Sequence, residues 1–328
     1  MRRRSNHRGI VSAWGVLLLC VVPCAAAMDL APLRAQFERP PGNVDYAAAK
    51  RVVDLLIDPT IDADAVHRDI AAWERAIRGN TPAHASPRQV LQALLKTLYQ
   101  PGPWNQHRPF TYDLADPFGR NAANKRLSTY LATRKGNCVS MPILVLILGQ
   151  RLGLPVALAT APQHVLVKFA DAESKSWWNV EATSGGFKFD SSIERETGIG
   201  QAAIEHGLYL RPLSPREGLG VIASTLMEHL AARKDGDALM EVAELALAAN
   251  PKDPVAMVWK ANAYALQLQA RYTGRYAAPA DIPTGQRDDY LRLHRGNLAW
   301  VEKAETLGWV APTPAHDAAY LQSLQRAR

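Results

Sequence analysis

Cysteine is scarce in this chain. Three cysteines in 328 residues exclude a disulfide scaffold, which needs several in a far shorter sequence. No basic stripe or run of aromatics among lysines occurs, so nucleic-acid binding has little support. Histidines 67, 84, 107, 206, 229, 294 and 316 are scattered without paired ligand spacing, and no acidic calcium loop is visible, so neither a metal nor another cofactor is implied. The first apolar run, Val16 to Val22, is shorter than the roughly 20 residues of a membrane-spanning helix. Against these shortages, 48% of the residues are hydrophobic and 21% charged, a balance that excludes a disordered or fibrous chain. The length suits two domains.

The N-terminus accounts for two of the scarce cysteines. Arg2, Arg3, Arg4 and Arg8 precede the apolar run without any acid, and Ala25-Ala26-Ala27 follow it. This is the pattern of a secretory leader, with cleavage expected after Ala27 and export to the periplasm or the medium. Cys20 and Cys24 follow Leu-Leu-Leu and Val-Val-Pro, which are not lipidation contexts. Cleavage lowers the net charge from +7 to about +3 and leaves Cys138 as the sole cysteine. In an oxidising compartment a single thiol is either buried filler or kept for chemistry.

Helical periodicity covers 45–56, 62–77 and 87–98, with stops at Asp58-Pro59 and Gly79-Asn80. A loop rich in Pro, Gly and Asn over 101–124 carries Trp104, Phe110, Tyr112 and Phe118, and long loops of that kind tend to be functional. A short helix at 125–133 precedes Lys135-Gly136-Asn137-Cys138. The apolar run 143–152 reads as a buried helix. Pro142 is tolerated only near its start, so the helix begins close to Cys138. Strands are expected at 155–160, 164–169 and 177–183. Helices followed by strands give an α+β class. After Arg211-Pro212-Leu213-Ser214-Pro215, helices are expected at 219–233, 237–249, 254–270, 286–307 and 315–327. Asn250-Pro251, Ala261 and Tyr264 stand at tetratricopeptide offsets. The expected division is a leader at 1–27, a mixed domain at 28–215 and a helical domain at 216–328.

Cys138 at a helix start gains from the free N–H groups and dipole that favour a thiolate, and those amides could form an oxyanion hole. Gly136 permits the close turn before it. His164 opens the second strand, and Glu181 lies on the third. A hairpin register pairing 169 with 176 sets His164 opposite Glu181, whereas pairing 169 with 177 sets it opposite Ala182. Nucleophile, base and orienting acid in this order point to thiol acyl transfer. Asn179 shares the face of Glu181 and is the alternative orienting group; Tyr112 and Trp104 are candidate oxyanion donors or cleft walls.

Arg134-Lys135-Gly136-Asn137-Cys138-Val139-Ser140, Arg151-Leu152-Gly153-Leu154-Pro155-Val156, Pro162-Gln163-His164-Val165-Leu166-Val167 and Trp178-Asn179-Val180-Glu181-Ala182-Thr183 resemble the bacterial transglutaminase-like superfamily. Leu56-Ile57-Asp58-Pro59 and Tyr112-Asp113-Leu114-Ala115-Asp116-Pro117 are similar to its branch with C-terminal tetratricopeptide helices. The resemblance runs from about Val44 to Thr183, with a looser tail to Tyr264. It implies a papain-like fold with a Cys–His–acid triad at Cys138, His164 and Glu181, where the superfamily usually has Asp last. The longer arm of Glu181 implies a shifted strand register. The expected function is an exported cysteine protease, amidase or acyltransferase acting on a protein or peptide. The alternative is a catalytically silent module that binds a protein partner through its C-terminal helices.

Overall fold

The computed structural model describes residues 28–326; the expected leader, with Cys20 and Cys24, lies outside them. Six helices and two short strands lead into the sheet. They are α1 (Ala31–Glu38), α2 (Tyr46–Ile57), α3 (Ala63–Gly79), α4 (Pro87–Tyr99), β1 (Thr111–Tyr112), α5 (Leu127–Thr133), β2 (Lys135–Gly136) and α6 (Ser140–Arg151). Their starts are set locally. The side chains of Asp45, Asp62 and Ser86 accept hydrogen bonds from the first-turn amides of α2, α3 and α4, groups with no partner within the helix.

Helix α6 has no polar face. Ser140 through Gly149 are all buried, which an all-apolar helix can achieve only at the centre of a fold. Helices α2 to α5 pack around it on one side, and the sheet packs on the other. That sheet is antiparallel, with β3 (Val156–Ala161), β4 (His164–Asp171), β5 (Ser176–Glu181) and β6 (Gly186–Lys188) in spatial order 3-4-5-6. Leu158, Val167, Phe169 and Val180 share the main core with α6. The opposite face carries Ala159, Ala161 and Leu166, covered by residues from α7 (Asp190–Thr197) and α8 (Gln201–Glu205) and by Leu208, Tyr209 and Leu210. The outer edge of β3 is covered as well, because Leu210 and Leu213 donate to the carbonyls of Thr160 and Leu158.

The observed register differs from both expected ones. Phe169 pairs with Trp178 and Val167 with Val180, a shift of two residues from the register that set His164 opposite Glu181. A two-residue shift preserves faces, since side chains alternate with period two. The paired ladder ends at Val167 and Val180, so His164 lies beyond it and Glu181 is no longer directly opposite but offset along the strands. The strand β6 and helices α7 and α8 were not expected. They are short, and tertiary contacts with the sheet and with later helices hold them.

Beyond the sheet come α9 (Pro215–Ala232), α10 (Gly236–Ala249), α11 (Pro254–Arg271), α12 (Thr284–Thr306) and α13 (Pro314–Arg326). The first four pack in sequence on one another, and α9 also packs on α2 and β3. The main core continues without a break into α9, α10 and α11. Ser214, Asp235 and Asp253 cap α9, α10 and α11. Among the described residues no helix is long and apolar enough to cross a membrane.

Candidate active site

Asn137 builds the turn that presents Cys138. Its Oδ1 accepts from the amides of Val139 and Ser140, both at 3.0 Å, and its own amide donates to Ser140 Oγ at 3.1 Å. A short polar side chain just before an apolar helix satisfies first-turn amides in this way. The expected oxyanion hole is corrected accordingly, because two of the amides it needed are already taken by Asn137. The Cys138 amide remains, and it points to the Tyr112 hydroxyl. Tyr112 reaches this place because β1 pairs in parallel with β2, Tyr112 opposite Gly136. Gly136 leaves no room for a side chain, since a Cβ there would meet Tyr130 Cε2 at 2.5 Å and Met141 Cγ at 2.6 Å.

The turn Pro162-Gln163 joins β3 to β4 and sets the backbone opposite the thiol. Gln163 adopts φ 56°, a left-handed conformation that costs a non-glycine residue about 1 kcal/mol. In it the Gln163 carbonyl accepts from Cys138 Sγ at 3.6 Å. The next residue, His164, is buried, and its Nε2 lies 2.9 Å from Glu181 Oε2. Its Nδ1 makes no hydrogen bond within normal limits and has the Cys138 thiol as its polar neighbour. The other oxygen of Glu181 accepts from the Thr183 amide at 3.1 Å and from its hydroxyl at 2.5 Å. Diagonal partners in an antiparallel sheet are about 7–8 Å apart, a gap suited to glutamate. Thr183, which the sequence reading missed, lies in the turn after β5 and anchors the acid.

The electrostatics follow from this packing. Burial of His164 disfavours its charged form, but the Glu181 carboxylate and the neighbouring thiol outweigh that and raise the imidazole well above its ordinary value. Burial of Glu181 works against its charge too, and His164, Thr183 and Lys188 overcome it to hold the carboxyl below the usual range. The pair is therefore imidazolium and carboxylate at neutral pH. Burial and the adjacent thiol push the Tyr112 phenol up, so it stays protonated.

Asn179 is turned away from the imidazole. Its amide donates to the Lys188 carbonyl at 3.0 Å and to Asp190 Oδ1 at 2.6 Å, the same oxygen that Lys168 Nζ reaches at 2.8 Å. Trp104 also points elsewhere, with Nε1 donating to the Gln100 carbonyl at 3.2 Å. Phe110 is buried between Trp73 and Tyr130. A cavity of about 380 Å³ opens beside His164 and Glu181, lined also by Tyr99, Tyr112, Lys188 and Tyr320 among others, while Cys138 is not part of its lining. Tyr320 belongs to α13, and nothing in the local sequence marked it. Among the described residues no group of three or more His, Cys, Asp or Glu side chains is arranged to hold a metal ion.

Residues 64–220 match the family model of the transglutaminase-like superfamily, so the chain carries a domain of that superfamily. No curated protein matches the chain. Among solved structures, it is similar to a crystal structure of menin that reveals the binding site for Mixed Lineage Leukemia protein. The TM-score is 0.38 at 14% identity, covering 92% of this chain and 88% of that one.

Proposed function

We propose, taking the transglutaminase-like domain as premise, that this protein is a cysteine enzyme. It transfers acyl groups or hydrolyses amides on a protein or peptide through Cys138, His164 and Glu181. The observation that carries the reading is the buried His164 Nε2–Glu181 Oε2 contact of 2.9 Å with Nδ1 left to the thiol. A carboxylate on one ring nitrogen fixes the tautomer and stabilises the imidazolium at the other.

In the reaction, Cys138 Sγ attacks the acyl carbon and His164 Nδ1 holds the thiol proton. The oxyanion that forms takes the Cys138 amide and the Tyr112 hydroxyl as donors, which requires that amide to leave the phenol and the phenol to release the Pro117 carbonyl to which it donates. Collapse breaks the C–N bond, the amine leaves with the proton from His164, and a thioester remains. Water or a second amine then attacks the thioester while His164 takes its proton, and collapse breaks the C–S bond, releasing the acyl product and restoring the Cys138 thiolate beside the His164 imidazolium. Water yields hydrolysis and an amine yields a crosslink. The basic leader at 1–27 supports export, and the helices after residue 215 support a tetratricopeptide-like domain that engages a protein partner.

The test is alkylation of Cys138 by iodoacetamide across pH, followed by peptide mass, in the wild type and in His164→Ala. The reading requires labelling to continue below about pH 7 and to lose that limb in His164→Ala. Labelling that rises only near about pH 8.5 in both proteins overturns it.

A further inference from the structure

Helix α13 comes back from the far end of the helical region to lie against α7. Its Tyr320 hydroxyl lies 2.7 Å from that of Tyr112, 208 residues earlier, and also faces Cys138. The Tyr320 ring centroid is 6.2 Å from that of His164 and 5.7 Å from that of Phe118. One turn earlier on the same helix face, Asp317 approaches Arg120 at 3.9 Å, and the Arg120 guanidinium stands over Phe118. Helix α13 thus touches nucleophile, base and oxyanion donor together.

The route into α13 is loosely built. Residues 309–313, which lead into it, have no regular structure, and Pro312 and Pro314 flank the joint. None of its described side chains enters a buried core cluster, and Leu321 is exposed. A helix of 13 residues is marginal in water by itself, so its position depends on tertiary contacts. Tyr320 and Asp317 direct their contacts to the cleft and its rim.

We infer that α13 is a self-docked occupant of the catalytic cleft, with Tyr320 in the place that an aromatic side chain of a polypeptide substrate takes. This inference rests on the function proposed above. The thiol becomes reachable in the fraction of molecules whose α13 has swung out, and the observed rate scales with that fraction. The cleft's natural ligand is then a polypeptide segment presenting an aromatic residue, which must compete with α13 for entry.

The experiment measures Cys138 alkylation in the full chain at fixed pH, with iodoacetamide as a small probe and a bulky maleimide as a large one. Tyr320→Ala is expected to speed labelling about tenfold, more for the maleimide. Asp317→Arg, which breaks the rim pair without touching the site, is expected to speed it by a smaller factor. A synthetic peptide of residues 312–328 added to Tyr320→Ala should slow labelling again, and the same peptide with alanine at 320 should not. Equal rates in the wild type and both variants overturn the inference, and so does slower labelling in Tyr320→Ala, which would place Tyr320 within the machinery. Repeating the pH series in Tyr320→Ala with and without His164→Ala keeps the two proposals apart. A rate that depends on Tyr320 and is indifferent to His164 sinks acyl transfer and leaves the occupant standing.

Discussion

Replacing Glu181 with glutamine keeps the side chain's length and removes its charge, and its effect on stability should depend on pH in a definite sense. In the wild type His164 is raised above its ordinary 6.5 despite burial, and Glu181 is lowered below its ordinary 4.5. A raised histidine value gives stability that is complete below its unfolded value and fades as pH climbs through the folded one. A lowered carboxyl value gives stability that is present above its unfolded value and fades as pH falls through the folded one. Both contributions are therefore in force between about pH 4.5 and 6.5. In Glu181→Gln the carboxylate's pull is gone, and burial, the largest influence on the imidazole, is opposed only by the thiol and pushes it below 6.5. His164 must then shed its proton on folding, which at about pH 5.5 costs about 1.4 kcal/mol. The lost charge-assisted hydrogen bond adds about 1.5–3 kcal/mol. The expected destabilisation is about 3–4 kcal/mol at pH 5.5 and about 2 kcal/mol at pH 7.5, where the proton is already absent from the unfolded chain. Urea denaturation at the two pH values reads the difference, and NMR of labelled histidine reads the imidazole directly. An equal loss at both pH values, or an imidazole titrating near 6.5 in both proteins, refutes the reasoning.

Glu181→Asp keeps the charge but withdraws it by about 1.5 Å, one C–C bond; if the diagonal placement governs, it should lower the His164 titration by NMR nearly as much as the glutamine does. Tyr112→Phe should cut turnover of an activated p-nitrophenyl ester about 100-fold, through loss of an oxyanion donor, without slowing iodoacetamide labelling of Cys138. Gly136→Ala forces a methyl into Tyr130 and Met141 and should cost about 1–3 kcal/mol in urea denaturation. Asn137→Ala frees two amides at the start of α6 and should cost about 1–2 kcal/mol, with slower Cys138 labelling as the thiol loses its fixed position.

Much of this architecture is decided within a few residues. Asp45, Asp62 and Ser86 start helices because a short polar side chain reaches an amide two or three positions on. The unbroken apolar run of α6 has no face to give to water, which by itself requires a central helix, and Pro142 restricts where that helix can begin. Cys138, His164 and Glu181 stood out by residue type and order, as did the alternation along β4.

The tertiary structure decided what depends on distance across the fold. Strand register rests on how β4 and β5 seat their apolar faces against α6, so the diagonal reach of Glu181 and the place of Thr183 could not be read from spacing alone. Asn179 and Glu181 share a face, and Asp190, at the start of α7, drew Asn179 away from the imidazole. Tyr112 and Tyr320 meet across 208 residues, a contact no local period encodes. The three cysteines of the sequence left a single thiol of interest; only the packing around it determined that this thiol lies between an ion-paired histidine and Tyr320 of α13.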